Sequence, residues 1–368
     1  MSASTSVAVE PLDDRRSRVS LMRDRVTWAA ARHLAFRTGW WIGIYLLALV
    51  IFGAFVSTRH VNPLSMYHAM WEQTIVNNYG LGQVIDKAAP FALAALAVAV
   101  PAQAGLINIG GEGQVMLGAT AAGGVSIALG THLTGAVAIV LMMVAGAGAG
   151  AAWAGIAAAL RLLGGVNEAI STLLLNYVGA DVLSYLVYGP WQDPSGNGQP
   201  ASKPLPSNDF LPTWGFLSAN IGFVIAIVAA VLVAFAIRGT RWGFTLRAVG
   251  GNPEAARRAG LRVTLLLLSA MLVGGALAGL GGAVQYAGLE GQLRPGVAAT
   301  FGYTGFLAAW LGRHQPGKVV VAAFLLAAIA VGGDALQFSS HLPGSSVNIL
   351  MGVVLLVVLA QRSKPRAA

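Results

Sequence analysis

The chain has 368 residues, 56% of them hydrophobic and only 10% charged, with a mean hydropathy of +0.69. An ordinary soluble domain carries about 25% charged residues, so a typical water-soluble enzyme is excluded. The 47 glycines follow no collagen-like period and point to membrane helices, where small residues let backbones approach. Cysteine is absent, which removes disulfides, thiol catalysis and cysteine metal sites, and the six histidines show no metal-ligating spacing. The net charge is +9, and its meaning depends on where the charges sit.

Residues 1–38 carry Arg15, Arg16, Arg18, Arg23, Arg25, Arg32 and Arg37, too long and too charged a segment for a cleaved signal peptide. Acidic residues interrupt the run, so it reads as a solvated tail that sets topology and not as a nucleic-acid arm. A span needs about 20 mostly apolar residues. That criterion places spans at 39–57, 84–106, 113–130, 133–160, 167–189, 217–237, 263–289, 301–312, 318–334 and 346–361, the eighth being short. The expected fold is an all-α polytopic membrane protein of about ten transmembrane helices, some short or broken. With a cytoplasmic N-terminus, the inner segments hold 19 of the 23 Lys and Arg residues, leaving Arg59, Lys87, Lys203 and Arg294 outside. The positive-inside rule therefore predicts that both termini are cytoplasmic, in a multi-pass protein expected in the inner (plasma) membrane. A transmembrane domain at 39–361 then lies between the basic tail and a short C-terminal tail, 362–368.

Between the second and third spans, Gly105-Leu-Ile-Asn108-Ile-Gly110-Gly111-Glu112-Gly113-Gln114 concentrates glycine and polar side chains. It reads as a helix break whose freed backbone groups are satisfied inside the protein or by water. Residues 145–159, AGAGAGAAWAGIAAA, and Gly274, Gly275, Gly279, Gly281 and Gly282 in the seventh span carry small residues at helix-packing spacing. Gly146-Ala-Gly148 lies mid-span with no preceding strand, so it is no dinucleotide fingerprint.

In the fifth span Glu168, Thr172 and Asn176 stand four apart on one face. Such a stripe either bonds a neighbouring helix or lines a water-filled path. The loop 190–216 is rich in Pro, Ser, Asn and Gly and reads as an irregular outer connection. In the loop 238–262, Asn252 is a good N-cap, Pro253 suits the first helical position, Glu254 complements the dipole, and Gly260 can close the helix. A short capped helix ringed by arginine is expected there. Gly312-Arg-His-Gln-Pro-Gly317-Lys318-Val319 imitates a phosphate-binding loop, but Val319 offers no hydroxyl for magnesium and the segment joins two apolar spans. Glu112, Glu168, Asp181 and Asp334, acids in or beside the spans, are by default functional candidates, or else they sit at helix ends near headgroups.

With these residues in view, the chain resembles the permease subunits of ABC importers, in the branch shared by sugar, branched-chain amino acid and nucleoside systems. Asn108-Ile-Gly110-Gly-Glu112-Gly113-Gln114 is similar to that branch's signature, and Asn167-Glu168 with Thr172-Leu-Leu-Leu-Asn176-Tyr177 resembles the nucleoside group. Arg247-Ala-Val-Gly250-Gly-Asn252-Pro253-Glu254-Ala255-Ala256 followed by Gly260 resembles the loop that couples to the ATPase. Phe306 to Arg313 resembles a cytoplasmic turn of the branch, with Trp310 where a small aliphatic is usual.

The resemblance covers about residues 85–360. It implies alternating access with no covalent chemistry on this chain and no cofactor bound by it, ATP and Mg being held by a partner ATPase subunit. Its other implied partners are a second permease subunit in a heterodimer, an extracytoplasmic substrate-binding lipoprotein and membrane lipid. Asn108, Glu112, Gln114, Glu168, Thr172 and Asn176 are the expected substrate pathway; Arg247, Gly250, Asn252, Pro253, Glu254, Ala255, Ala256 and Gly260 are the expected ATPase-coupling residues. Nucleosides lead as substrate, ahead of simple sugars and branched-chain amino acids. The competing class is an ion-coupled secondary transporter using Glu112, Glu168 or Asp334, which leaves the capped arginine-rich loop without a role.

Overall fold

The structure, a computed structural model, describes residue 43 and residues 46–360 apart from 131, 133, 197 and 341–344. The basic tail 1–38 and the C-terminal tail 362–368 lie outside the described residues. Two compact units divide the chain: residues 1–62 with 352–368, and residues 63–351. Within the described residues the first holds α1 (Leu46–Ser57) and the end of α13 (Ser345–Ala360).

The second unit begins with α2 (Pro63–Trp71), extended by a π-helical turn over Glu72–Val76. Then come α3 (Asn78–Gln103), α4 (Gly111–Leu129), α5 (Ala136–Gly164), α6 (Glu168–Tyr188) and α7 (Gly222–Gly239). The α7–α10 connection folds as α8 (Arg241–Gly251) and α9 (Pro253–Arg258). After it stand α10 (Val263–Gln285) with a π turn at Tyr286–Glu290, α11 (Phe301–Leu311) and α12 (Pro316–Ser340). Among the described residues, six helical stretches are long and apolar enough to cross a membrane: α3, α5, α6, α7, Val263–Glu290 and Pro316–Asp334. In the other expected spans the described residues hold the shorter helices α1, α4, α11 and α13. The region 58–83, expected as a connection, holds α2 and the π turn, so the second span begins at Asn78.

α3 is the centre of this unit. Every residue from Ala88 to Pro101 is buried, as befits a helix that is apolar all round. Alanines fill much of that stretch, and α10, α12, α11 and α7 pack around it.

The expected small-residue packing is found where α4, α5 and α10 cross. A Cβ built on Gly279 would lie 2.1 Å from the Gly146 carbonyl oxygen, one on Gly150 2.2 Å from the Gly275 oxygen, and one on Gly118 2.2 Å from the Gly279 oxygen. The three helices therefore touch backbone to backbone, where dispersion contacts and not side-chain burial hold them. Gly148 points away from this crossing and meets nothing within 4 Å.

The connection after α6 is largely irregular, as its composition suggests, with a two-residue antiparallel pairing of β1 (Thr213–Trp214) and β2 (Ala219–Asn220). It is nonetheless tied down. Leu205 N–H donates to the Gly291 oxygen at 2.7 Å, Leu211 N–H to the Ala287 oxygen at 2.8 Å, and Asn220 N–H to Asp86 at 2.7 Å.

Because the groups facing Gly279 are backbone, Gly279→Ala must push α5 and α10 apart; we expect a loss of about 1–3 kcal/mol, as in overpacked cores. Thermal unfolding in detergent should fall for Gly279→Ala and stay at the wild-type value for Gly148→Ala.

Candidate functional site

α3 stops for a local reason. Leu106 N–H donates to the Pro101 oxygen at 3.1 Å and Gly105 N–H to the Ala102 oxygen at 3.1 Å, with Gly105 at φ +77°. This is a Schellman ending, which needs a left-handed residue where glycine stands. The chain then runs non-helically to Gly110 before α4 begins. At this depth in an apolar protein each freed N–H must find a partner.

The partners are on α6. Glu168 Oε1 accepts from Ile107 N–H at 3.2 Å, Thr172 Oγ1 from Ile109 N–H at 3.2 Å, and Asn176 Oδ1 from Gly113 N–H at 2.8 Å, while Asn176 Nδ2 returns a bond to the Ile109 oxygen at 3.0 Å. The match is geometric. Two residues of extended chain advance about 6.6 Å, and four residues of helix about 6 Å. Glu168 and Thr172, four apart, thus read alternate N–H groups of the broken segment, and Asn176, one turn further, takes a free N–H of the first turn of α4, four residues on from Ile109. Glu168 also receives the Arg161 guanidinium from the last turn of α5.

The break's own side chains complete the network. Asn108 and Gln114 exchange two amide bonds, each 3.0 Å, and Asn108 Oδ1 also accepts from Gly110 N–H at 3.0 Å. Glu112 projects from the first turn of α4 to the start of α11, where its carboxylate accepts from Gly302 N–H at 2.7 Å, Tyr303 N–H at 3.3 Å and Thr300 N–H. Thr300 gives α11 no side-chain cap, so Glu112 supplies both the acceptors and the negative charge that a helix N-terminus favours. Gly302 is required there, since a Cβ on it would lie 2.0 Å from Glu112 N.

All six expected pathway residues are thus brought together and all are buried, their polar atoms engaged with backbone, with one another, or with Arg161 and Tyr303. The other two acids behave differently. Asp334 pairs with Lys87 at 2.6 Å, and Asp181 lies exposed on α6. Three contributors escape a reading of the sequence: Arg161; Trp153, whose Nε1 donates to the Leu175 oxygen at 3.3 Å; and Tyr303, whose hydroxyl is 3.4 Å from Asn176 Nδ2. A lone Trp in an otherwise small-residue run was the available signal for the second.

The α7–α10 connection carries the expected coupling residues. Asn252 Oδ1 accepts from Ala255 N–H at 3.0 Å, and Pro253 stands at the first helical position. Gly260, at φ +81°, closes α9 with Leu261 N–H donating to the Ala256 oxygen at 3.1 Å. Ala256 is buried, in a cluster with Leu106, Leu246, Val249 and Met271. Glu254, Arg257 and Arg258 are exposed, with Glu254 3.8 Å from Arg257 and 3.4 Å from Arg258. Arg247 donates to the Ile237 oxygen and so serves the C-terminus of α7. Gly250 joins this connection to the break: a Cβ there would lie 2.3 Å from the Gln103 oxygen and 3.1 Å from Gly105 N. A cavity of about 530 Å³ lies beside this contact, lined by Gly105, Arg161, Asn167, Gly250, Pro253 and Arg257 among others.

Glu112→Gln offers one oxygen where two now accept and places an NH₂ against backbone donors. It should cost about 1–3 kcal/mol of stability, the penalty of an unsatisfied buried group, whereas exposed Glu254→Gln should leave thermal unfolding unchanged.

The family described as "Branched-chain amino acid transport system / permease component" matches residues 80–359. A glucose ABC transporter permease protein of Haloferax volcanii is 36% identical over 326 residues, covering 85% of each chain. A guanosine ABC transporter permease protein of Bacillus subtilis is 33% identical, covering 80% of this chain and 85% of its own, and a nucleoside ABC transporter permease protein of Lactococcus lactis is 28% identical, covering 85% and 87%. No solved structure matches. With residues 80–359 aligned to that description and a relative above 30% identity over most of both lengths, this integral membrane protein belongs to the branched-chain amino acid transport system permease family.

Proposed function

We propose that this chain is a translocation subunit of an ATP-driven importer that carries nucleosides across the inner membrane by alternating access. The observation that carries the substrate class is the pair of relatives named for guanosine and for nucleosides, aligned over 80% and 85% of this chain. The glucose permease relative, at 36% identity, favours a simple sugar as the second reading.

In this proposal ten helices cross the membrane and both termini are cytoplasmic, an orientation supported by the 19 of 23 basic residues on inner segments. ATP and Mg are held and ATP is hydrolysed on separate ATPase subunits, while this chain performs no covalent chemistry. α9 fills a groove on the ATPase. Its exposed Glu254, Arg257 and Arg258 supply specificity, because exposed ion pairs contribute only about 0–1 kcal/mol. A second permease subunit completes a heterodimer, and an extracytoplasmic lipoprotein delivers the solute. Asn108, Glu112, Gln114, Glu168, Thr172 and Asn176 belong to the wall of the path as the joint of its broken helix. Gly250 against Gln103 is the route by which movement of α8 and α9 reaches that joint.

Uptake of labelled uridine or adenosine, against glucose and leucine, by cells expressing the complete importer should require an active ATPase. Uptake indifferent to a hydrolysis-dead ATPase would overturn the importer reading; ATPase-dependent uptake of glucose alone would overturn the nucleoside assignment. Glu254→Arg and deletion of 252–259 should abolish uptake while the protein still inserts. Asn176→Leu should impair uptake without releasing the ATPase.

A further inference from the structure

α6 carries polar side chains on two sides, and the helix break uses only one of them; the other is a mixed face, on which Ile170, Leu174 and Val178 are also exposed. Glu168, Thr172 and Asn176 are buried against the broken segment. On the opposite side Tyr177, Asp181, Tyr185 and Tyr188 follow at intervals of four, four and three residues, so they lie on one face. All four are exposed, Tyr177 at 65%, Tyr185 at 73% and Tyr188 at 61%. Among the described residues the Asp181 carboxylate has neither a hydrogen-bond nor an ion-pair partner. It stands about 10 Å along the axis from the Tyr188 end, at 1.5 Å per residue, well inside a helix long enough to span.

The exposed faces of α7 and α5 differ from that of α6 in carrying no carboxylate between tyrosines. α7 presents Val224, Ile227, Val228, Val231, Leu232 and Phe235, and α5 likewise exposes aliphatic side chains. Those are the surfaces lipid requires. A carboxylate between tyrosines is not, because an ionisable side chain at that depth belongs against protein or water. Tyr303 of α11, also partly exposed, adds a ring on the flank of the same stretch, with its hydroxyl beside Asn176.

Resting on the proposed nucleoside function, we infer that the Tyr177–Asp181–Tyr185 face of α6 is the solute-contacting wall of the path, and that it binds a neutral, ring-bearing polyol. The Asp181 carboxylate accepts hydrogen bonds from two hydroxyls of one sugar ring, and the tyrosine rings stack on the base or on the sugar's C–H face. The same negative charge repels a phosphorylated solute, so nucleosides enter and nucleotides do not.

The absence of native cysteine gives a direct test, since a single introduced thiol is the only one in the chain. In the assembled importer in proteoliposomes, Asp181→Cys and Tyr185→Cys should react with a membrane-impermeant maleimide at least about tenfold faster than Val228→Cys on α7, because thiolate forms in water and not in lipid. Uridine should slow the first two. Asp181→Asn should lower uridine uptake about tenfold while changing dideoxyuridine uptake about twofold or less, since only the ribose hydroxyls lose a charged acceptor. Equal, slow labelling at all three positions would assign the face to lipid and overturn the inference. Labelling insensitive to uridine, with an unaltered uridine-to-dideoxyuridine ratio in Asp181→Asn, would overturn it as a contact surface. If the wild type imports glucose and not uridine, the nucleoside reading fails, and protection of the two thiols by glucose, or its absence, still decides whether this face is the wall.

Discussion

Everything in the second unit is arranged around a few backbone N–H groups that a broken helix leaves in an apolar interior. Each unsatisfied group of this kind costs several kcal/mol away from water, so the break at 104–110 exists only because α6 and the break's own side chains answer it. Glu168 and Thr172 do so in step, each at 3.2 Å, and Asn176 takes the Gly113 N–H of the first turn of α4 at 2.8 Å. Glu112 extends the same logic to α11, whose N-terminus has no cap of its own. The break and α4 are therefore tied to α6 and α11 by polar contacts, while α4, α5 and α10 meet one another through glycine. The protein has a polar joint next to a tightly packed block.

Family membership places this arrangement in a transport subunit, and the two halves of the site suit that role in different ways. The network around the break is closed on itself and buried. The α7–α10 connection is anchored through Ala256, Leu246 and Val249 and leaves the charges of α9 exposed. Between them lies the contact of Gly250 with Gln103, so the exposed charged helix α9 and the joint within the bundle are adjacent in one structure.

Features set by neighbours in sequence were legible from the residues, and features set by neighbours in space were not. Asn252, Pro253 and Gly260 act as their types dictate because a cap involves only the next few residues. The spacing of Gly146, Gly150, Gly275 and Gly279 announced a close helix crossing. The stripe at 168, 172 and 176 was visible as a stripe, but its partner was not, because an extended segment some 60 residues upstream carries no mark of what it will lie against. α2 and its π turn escaped because PLSMYHAMWEQTIVNNY has no clear apolar period. α8 escaped because RWGFTLRAVGG is poor in helix formers and rich in glycine, and its helix is stabilised by burying Gly243, Leu246 and Val249. The exposure of Asp181 likewise depends on which face of α6 the break occupies.

The contact at Gly250 is also a statement about mechanical slack. A side chain pressed by its neighbour can change rotamer and absorb the displacement, whereas the Gly250 backbone lies directly on the carbonyl of Gln103 with no flexible atoms between them. A push on α8 therefore arrives at the end of α3 almost undamped, as it would through a solid pushrod and not through a spring. Any side chain larger than hydrogen at position 250 changes the length of that rod as well as its fit.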